Sequence, residues 1–206
     1  MSQYSYEFAT PTTVLETYEW DNVWWEQANR NDLPRALYIG DSISCATRKQ
    51  ATDSSNPKIL FDGFGTSKAL DNPFLFDSIR MFAKQQKYRN VVLFNNGLHG
   101  WHLDDDKQYA HYYENTVKFL IDEFKNTPIV IVLTTSVLNA EREQRVKRRN
   151  EVAAQIADKY GLPIVDLYSV SVNFSELRTS DGVHYDAAGY KKFAECIIDD
   201  LKSIIV

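Results

Sequence analysis

Four short, almost unbroken apolar runs divide this sequence, and the stretches between them repeat at helical rather than strand spacing. The runs are Arg35 to Gly40, Asn90 to Asn95, Pro128 to Thr134 and Pro163 to Leu167. Val91-Val92-Leu93-Phe94 and Ile129-Val130-Ile131-Val132-Leu133 have no polar face, the pattern of strands covered on both sides. A fifth, shorter strand is expected at Ile59 to Asp62. Between the runs, Leu75, Ile79 and Phe82 mark one helix face, and Tyr109, Tyr113, Val117, Leu120 and Phe124 a second. Val152, Ile156 and Tyr160 mark a third, and Phe193, Ile197, Leu201 and Ile204 a fourth. Strands alternating with amphipathic helices are joined by right-handed crossovers and pair in parallel, so the expected fold is α/β, a three-layer α/β/α domain.

At 206 residues, with no repeat, low-complexity tract or Gly/Ser linker, the chain is expected to form one domain spanning 1–206. Residues 1 to about 33 form an aromatic-rich arm carrying Trp20, Trp24 and Trp25. So many aromatics are expected to pack across the domain, and the arm is also a candidate to shape a substrate pocket or a dimer contact. The net charge of −5 offers no clustered cation for nucleic acid or an anionic membrane, so neither is expected as a partner. The start of the chain shows no secretory leader and no stretch reaches the roughly 18 apolar residues of a membrane span, so a cytoplasmic location is expected. Cys45 and Cys196 are two cysteines far apart, expected to be reduced. The run Glu141 to Arg149, with five basic and two acidic residues, reads as an exposed helix start.

The chemistry lies at the strand ends, because ligands of open α/β sheets collect beyond the carboxyl ends of the strands. The first run ends in Gly40-Asp41-Ser42-Ile43-Ser44, and near the other end of the chain stands Asp181-Gly182-Val183-His184. A serine hydroxyl is a weak nucleophile until a base takes its proton and a third group orients that base. One Asp-x-x-His turn supplies both, which makes Ser42, His184 and Asp181 a candidate catalytic triad. Ser42 follows a strand and opens a helix, so its backbone N–H would face a developing oxyanion. Asn95 and a glycine N–H from the segment Asp62-Gly63-Phe64-Gly65-Thr66-Ser67 are candidates for the other donors. Cys45 is read as a packing residue rather than a nucleophile. His99, His102 and His111 recur without a carboxylate or cysteine at ligand spacing, so no metal and no cofactor is expected; Asp104 to Asp106 read as a solvated helix start.

The first and last of these blocks resemble those of the SGNH, or GDSL-type, hydrolases, serine esterases and lipases on a flavodoxin-like sheet. The resemblance implies a parallel five-stranded sheet, with Ser42 as nucleophile and Asp181 and His184 completing the triad. The family's third block reads Gly-x-Asn-Asp, whereas this chain has Phe94-Asn95-Asn96-Gly97-Leu98. Matching Asn-Asp-Gly-Leu to Asn95-Asn96-Gly97-Leu98 assigns the oxyanion asparagine to Asn95, with Asn96 as its rival. The second-block glycine falls on Gly65 or Gly63, with Gly65 preferred for the Thr-Ser that follows it. The resemblance implies ester hydrolysis through an acyl-enzyme and leaves the ester open.

Trp101 and two imidazoles lie close to the third block, Tyr185 follows the base, and no Leu-rich loop offers to house an acyl tail. Aromatic faces beside polar donors suit a sugar ring, so the expected substrate is a small O-acyl ester, an acetylated oligosaccharide above all. The alternatives are a thioesterase or lysophospholipase on the same scaffold, or an inert binding module.

Overall fold

The computed structural model describes residues 14–86 and 88–205. Its elements run β1 (Asp21–Trp24), β2 (Arg35–Gly40), α1 (Ser42–Ser54), β3 (Leu60–Thr66), α2 (Leu75–Ala83), β4 (Val91–Phe94), α3 (Asp106–Glu123), β5 (Ile129–Val132), α4 (Ala140–Tyr160), β6 (Ile164–Val165), α5 (Leu167–Asn173) and α6 (Ala187–Leu201). Five strands are parallel in the order β3-β2-β4-β5-β6. The sheet nevertheless has six strands rather than five, because β1, from the aromatic arm, pairs antiparallel with the outer edge of β3. That pairing satisfies an edge that would otherwise stay open to other chains. Residues 1–13 of the arm lie outside the described residues.

Successive strand residues alternate between two cores. Leu37, Ile39, Val92, Phe94 and Ile131 pack with Ile79, Tyr113, Val117 and Leu120 beneath α2, α3 and α4. Ala36, Tyr38, Leu93, Val130 and Val132 pack with Phe193, Ile197 and Leu201 of α6 on the other face. Phe193 and Ile197 are 0% exposed, and burying side chains of this size is worth about 2 to 3 kcal/mol each. Three layers follow from this two-sided burial. No described helix is long and apolar enough to cross a membrane.

The largest departure from the expected elements is β3, a strand through Thr66 and not a short run ending at Asp62. Asp62-Gly63-Phe64-Gly65 has the composition of a turn, but Asp62 is buried against Arg35, whose Nη1 lies 2.8 and 3.0 Å from its two carboxylate oxygens. The Glu26 N–H also donates to it, at 2.8 Å. The glycines are there for close approach: a Cβ at Gly63 would collide with the Arg48 guanidinium of α1, and one at Gly65 with Cys45 Sγ. At the far edge, the expected strand from Pro163 to Leu167 shrinks to Ile164–Val165, because Asp166 turns the chain into α5 as its N-cap.

From β2 the chain moves to β3 on one side, and later to β4 on the other. The carboxyl end of β2 is therefore the point where the winding direction reverses, and the crevice there is where such sheets bind ligands. Ser42 sits one residue beyond that end.

Candidate active site

Asp41 accepts the Ile43 N–H on its Oδ1 at 2.9 Å and so caps α1. Ser42 becomes the first helical residue, where the N–H has no intrahelical partner, and among the described residues nothing accepts it. The Ser42 Oγ lies 2.8 Å from His184 Nε2, and His184 Nδ1 lies 2.7 Å from Asp181 Oδ2. The structure thus brings Ser42, His184 and Asp181 into one hydrogen-bonded row across 142 residues of sequence.

The carboxylate end of the row is a single turn. Asp181 Oδ1 accepts the Val183 N–H at 2.8 Å, the His184 N–H at 2.9 Å and the Thr179 hydroxyl at 2.9 Å. Those backbone donors, with His184 itself, hold the Asp181 pKa far below the usual carboxylate range. Gly182 makes the turn at φ +77°, and its carbonyl accepts the Leu138 N–H at 2.7 Å, tying the turn to the segment after β5. Both Asp181 and His184 remain substantially exposed.

The opposite side of Ser42 differs from expectation. Extending the strand register one step past Gly40↔Gly65 and two steps past Ile39↔Phe94 sets Asp41 level with Thr66 and Asn96. Asn95, expected as an oxyanion donor, is buried, and its Nδ2 gives its hydrogens to the Val132 carbonyl at 2.8 Å and Thr134 Oγ1 at 3.0 Å. It cross-links β4 to β5 and has no N–H left for a substrate. Asn96 is the uncommitted amide: its Nδ2 reaches only the Lys68 carbonyl, at 3.5 Å, and its buried Oδ1 has no partner. Gly65 is likewise displaced from the role expected of it, since it lies inside β3 between Asn22 of β1 and Gly40 of β2. A residue between two paired strands directs its peptide groups at those strands. Gly63 lies deeper still.

A pocket of about 320 Å³ opens in front of Ser42 and His184, walled by Leu98, His99, Trp101, Val137 and Arg142 among others. Trp101 faces this pocket, while the guanidiniums of Arg142 and Arg145 lie 4.9 and 5.0 Å from its ring centroid. Tyr185 does not: it is buried against Phe193, and its hydroxyl donates to the Ser136 carbonyl at 3.0 Å. Cys45 sits behind the nucleophile with its thiol pKa pushed up by burial, a packing residue against Gly65.

Two contributors had no signal in the sequence. Arg149 closes the basic run that reads as solvated helix, yet it is buried. Its two terminal nitrogens donate to the carbonyls of Gly97, His99, Gly100 and Leu103 at 2.7 to 3.0 Å. The other basic residues of the run meet the expected surface role, Arg142 and Lys147 exposed and Arg145 and Arg148 pairing with Asp104 and Asp106. Glu16 of the arm accepts from His99 Nδ1 at 2.9 Å and from the Gly100 N–H at 3.1 Å. His102 pairs with Asp71 and His111 with Asn115, so the three histidines of this stretch serve separate contacts.

Among known families, a model described as GDSL-like lipase/acylhydrolase matches residues 105–197, which include Asp181 and His184. No curated protein matches the sequence. The fold is similar to that of a lipase/acylhydrolase from Enterococcus faecalis, at 14% identity and a TM-score of 0.67 over 83% of this chain and 96% of that one. It is similar to an acetyl xylan esterase at 15% identity and a TM-score of 0.61, covering 84% of this chain and all (100%) of the other. It is also similar to the C-terminal catalytic domain of peptidoglycan O-acetyltransferase A from Streptococcus pneumoniae, at 15% identity and a TM-score of 0.63 over 84% of this chain and 94% of that one.

Proposed function

We propose that this chain is a serine esterase of the SGNH, or GDSL-type, hydrolases, removing small acyl groups, O-acetyl above all, from carbohydrate; the matching family model and the shared fold support the reading. The observation that carries the reading is the row Ser42 Oγ, His184, Asp181, which opens on a pocket and has its carboxylate fixed in the ionised state.

In this mechanism His184 Nε2 takes the Ser42 proton as the oxygen attacks the ester carbonyl. Asp181 holds the other ring nitrogen and stabilises the imidazolium. The oxyanion rests on the Ser42 N–H, which has no other acceptor, and on the Asn96 amide, whose one other contact is long at 3.5 Å; in such sites a donor is worth about 3 kcal/mol. His184 returns the proton to the leaving alcohol as the ester C–O bond breaks, leaving an acyl-Ser42. Water, deprotonated by the same imidazole, then attacks the acyl carbon and releases the acid.

A small acyl group fits a pocket of about 320 Å³. Trp101 at its wall offers a face for a sugar ring, and the likeness to an acetyl xylan esterase agrees in direction. The test is labelling by a fluorophosphonate together with acetate release from acetylated xylo- and manno-oligosaccharides. Labelling and sugar-derived acetate, both lost in Ser42→Ala, are expected. Preference for long-chain p-nitrophenyl esters over acetate would overturn the substrate, and an unlabelled wild-type serine would overturn the chemistry.

A further inference from the structure

The proposed reaction leaves one half-buried titratable group in the pocket unused. His99 lines the same cavity as Ser42 and His184. Its ring packs edge-on against Trp20 of the arm, at 5.9 Å between centroids, and Trp20 in turn lies over Gly65 of β3. Two imidazoles, those of His184 and His99, thus share one cavity with Ser42.

The two ring nitrogens of His99 have different surroundings. Nδ1 donates to Glu16 Oε2 at 2.9 Å, and the second Glu16 oxygen is held by the Gly100 N–H. Nε2 has no protein partner among the described residues, and the residue lines the cavity. The backbone around the ring is fixed as well, since Arg149 grips the carbonyls on either side and His99's own at 2.7 Å. A half-buried histidine is thus oriented by a carboxylate at one nitrogen and leaves the other unpartnered in the pocket wall. Asn95, its amide hydrogens committed to Val132 and Thr134, supplies no donor here.

Resting on the esterase reading above, we propose that His99 is a further catalytic residue: oriented by Glu16 of the arm, its Nε2–H donates a hydrogen bond to the oxyanion formed when Ser42 attacks. No proton is transferred; His99 stays charged through the cycle. With Nδ1–H committed to Glu16, a neutral ring would present a lone pair at Nε2, so only the cation can donate there. The groups facing His99 favour that cation. Burial alone opposes charging it, but the Glu16 hydrogen bond and the charges of Asp41, Glu16 and Glu19 raise its pKa above the usual histidine value. Asp41 at the end of β2 faces both His99 and His184, and has a buried Oδ2 without a partner. His102 lies close enough to act on Glu16, while Trp20 and the Arg149-bound carbonyls add no titrating charge.

The consequence is an alkaline limb in the pH profile, because donation from Nε2 requires His99 charged. The experiment measures kcat/KM on p-nitrophenyl acetate across the neutral and alkaline range for wild type, Glu16→Gln and His99→Gln, with fluorophosphonate labelling of Ser42 alongside. Glu16→Gln keeps an acceptor for Nδ1–H and removes the charge, so the alkaline limb should move to lower pH by about one unit. His99→Gln leaves a donor that does not titrate, so that limb should vanish and kcat should fall by about tenfold or more. An alkaline limb at its wild-type position in both variants, with Ser42 still labelled, overturns the role of His99 alone. A wild-type serine that the probe does not label overturns the esterase reading and this proposal with it.

Discussion

The two flanks of Ser42 are built in opposite ways. On the base side, Asp181 and His184 sit three residues apart in one exposed turn, held by hydrogen bonds that the turn makes to itself. On the oxyanion side, the loop from Gly97 to Leu103 is pinned by buried Arg149 from α4 and by Glu16 from the arm, groups 52 and 83 residues away in sequence. The first flank needs its chemistry to be mobile and solvated enough to pass protons. The second needs fixed dipoles, because a donor stabilises an oxyanion only if it is already in place when the charge appears. Local turns suffice for the one, and buried tertiary anchors are required for the other.

The comparison breaks most sharply at the nucleophile the flanks share. Ser42→Ala should lower kcat for acetate release by about four orders of magnitude or more while leaving the thermal midpoint near wild type. A residual rate within tenfold of wild type would show that neither flank serves Ser42. The two asparagines sharpen the oxyanion side. Asn96→Ala should cost about a hundredfold in kcat with little change in stability, and Asn95→Ala should instead cost about 1 to 3 kcal/mol of unfolding free energy as the β4 to β5 cross-link is lost. Kinetics and urea denaturation on the same pair decide it, and the reverse assignment would restore Asn95 as the donor.

Arg149→Met tests whether the loop is anchored from a distance. It leaves four carbonyls without their guanidinium and should lower stability by about 3 kcal/mol in urea melts. The base-side turn does not touch Arg149, so at low denaturant Ser42 should still react with a fluorophosphonate; loss of labelling would mean that the flanks are not independent.

The smallest effect is electrostatic. The Glu16 pKa is held below its ordinary value: burial opposes this, but the hydrogen bond and charge of His99 outweigh it. Glu16 therefore stabilises the fold above its unfolded value of 4.5, and that contribution is lost as pH falls through the lower folded value. His99 has the opposite sign: it stabilises the fold below its unfolded value of 6.5 and loses the effect as pH rises through its raised folded value. Both contributions are present between 4.5 and 6.5, so the stability deficit of Glu16→Gln should peak in that interval and shrink on either side. A deficit independent of pH would leave Glu16 as a packing residue.

Legibility in the sequence followed the same division. The parallel strands at Arg35, Asn90 and Pro128 could be read because burial on both faces leaves an unbroken apolar run, and the Asp-x-x-His turn because its partners are neighbours in the chain. β3 was cut short at Asp62 because an acid and two glycines look like a turn until Arg35, Arg48 and Cys45 are seen packed against them. β1 was missed as a strand because all four of its residues are exposed, so no pattern of burial marked it. The basic run before Asn150 reads as one solvated face, and nothing in its composition separates buried Arg149 from its exposed neighbours.

By itself, then, the sequence determined the α/β alternation and the residues of the serine, histidine and aspartate blocks. The tertiary structure alone decided which polar groups stay uncommitted, tying Asn95 to β5 and Gly65 into the sheet, leaving the Asn96 amide with one long contact and setting His99, held by Glu16, in the pocket wall. The reason is one of range: strand burial and a three-residue turn are written in local patterns. Which N–H is left unpaired depends on what every neighbouring strand, helix and arm has already claimed.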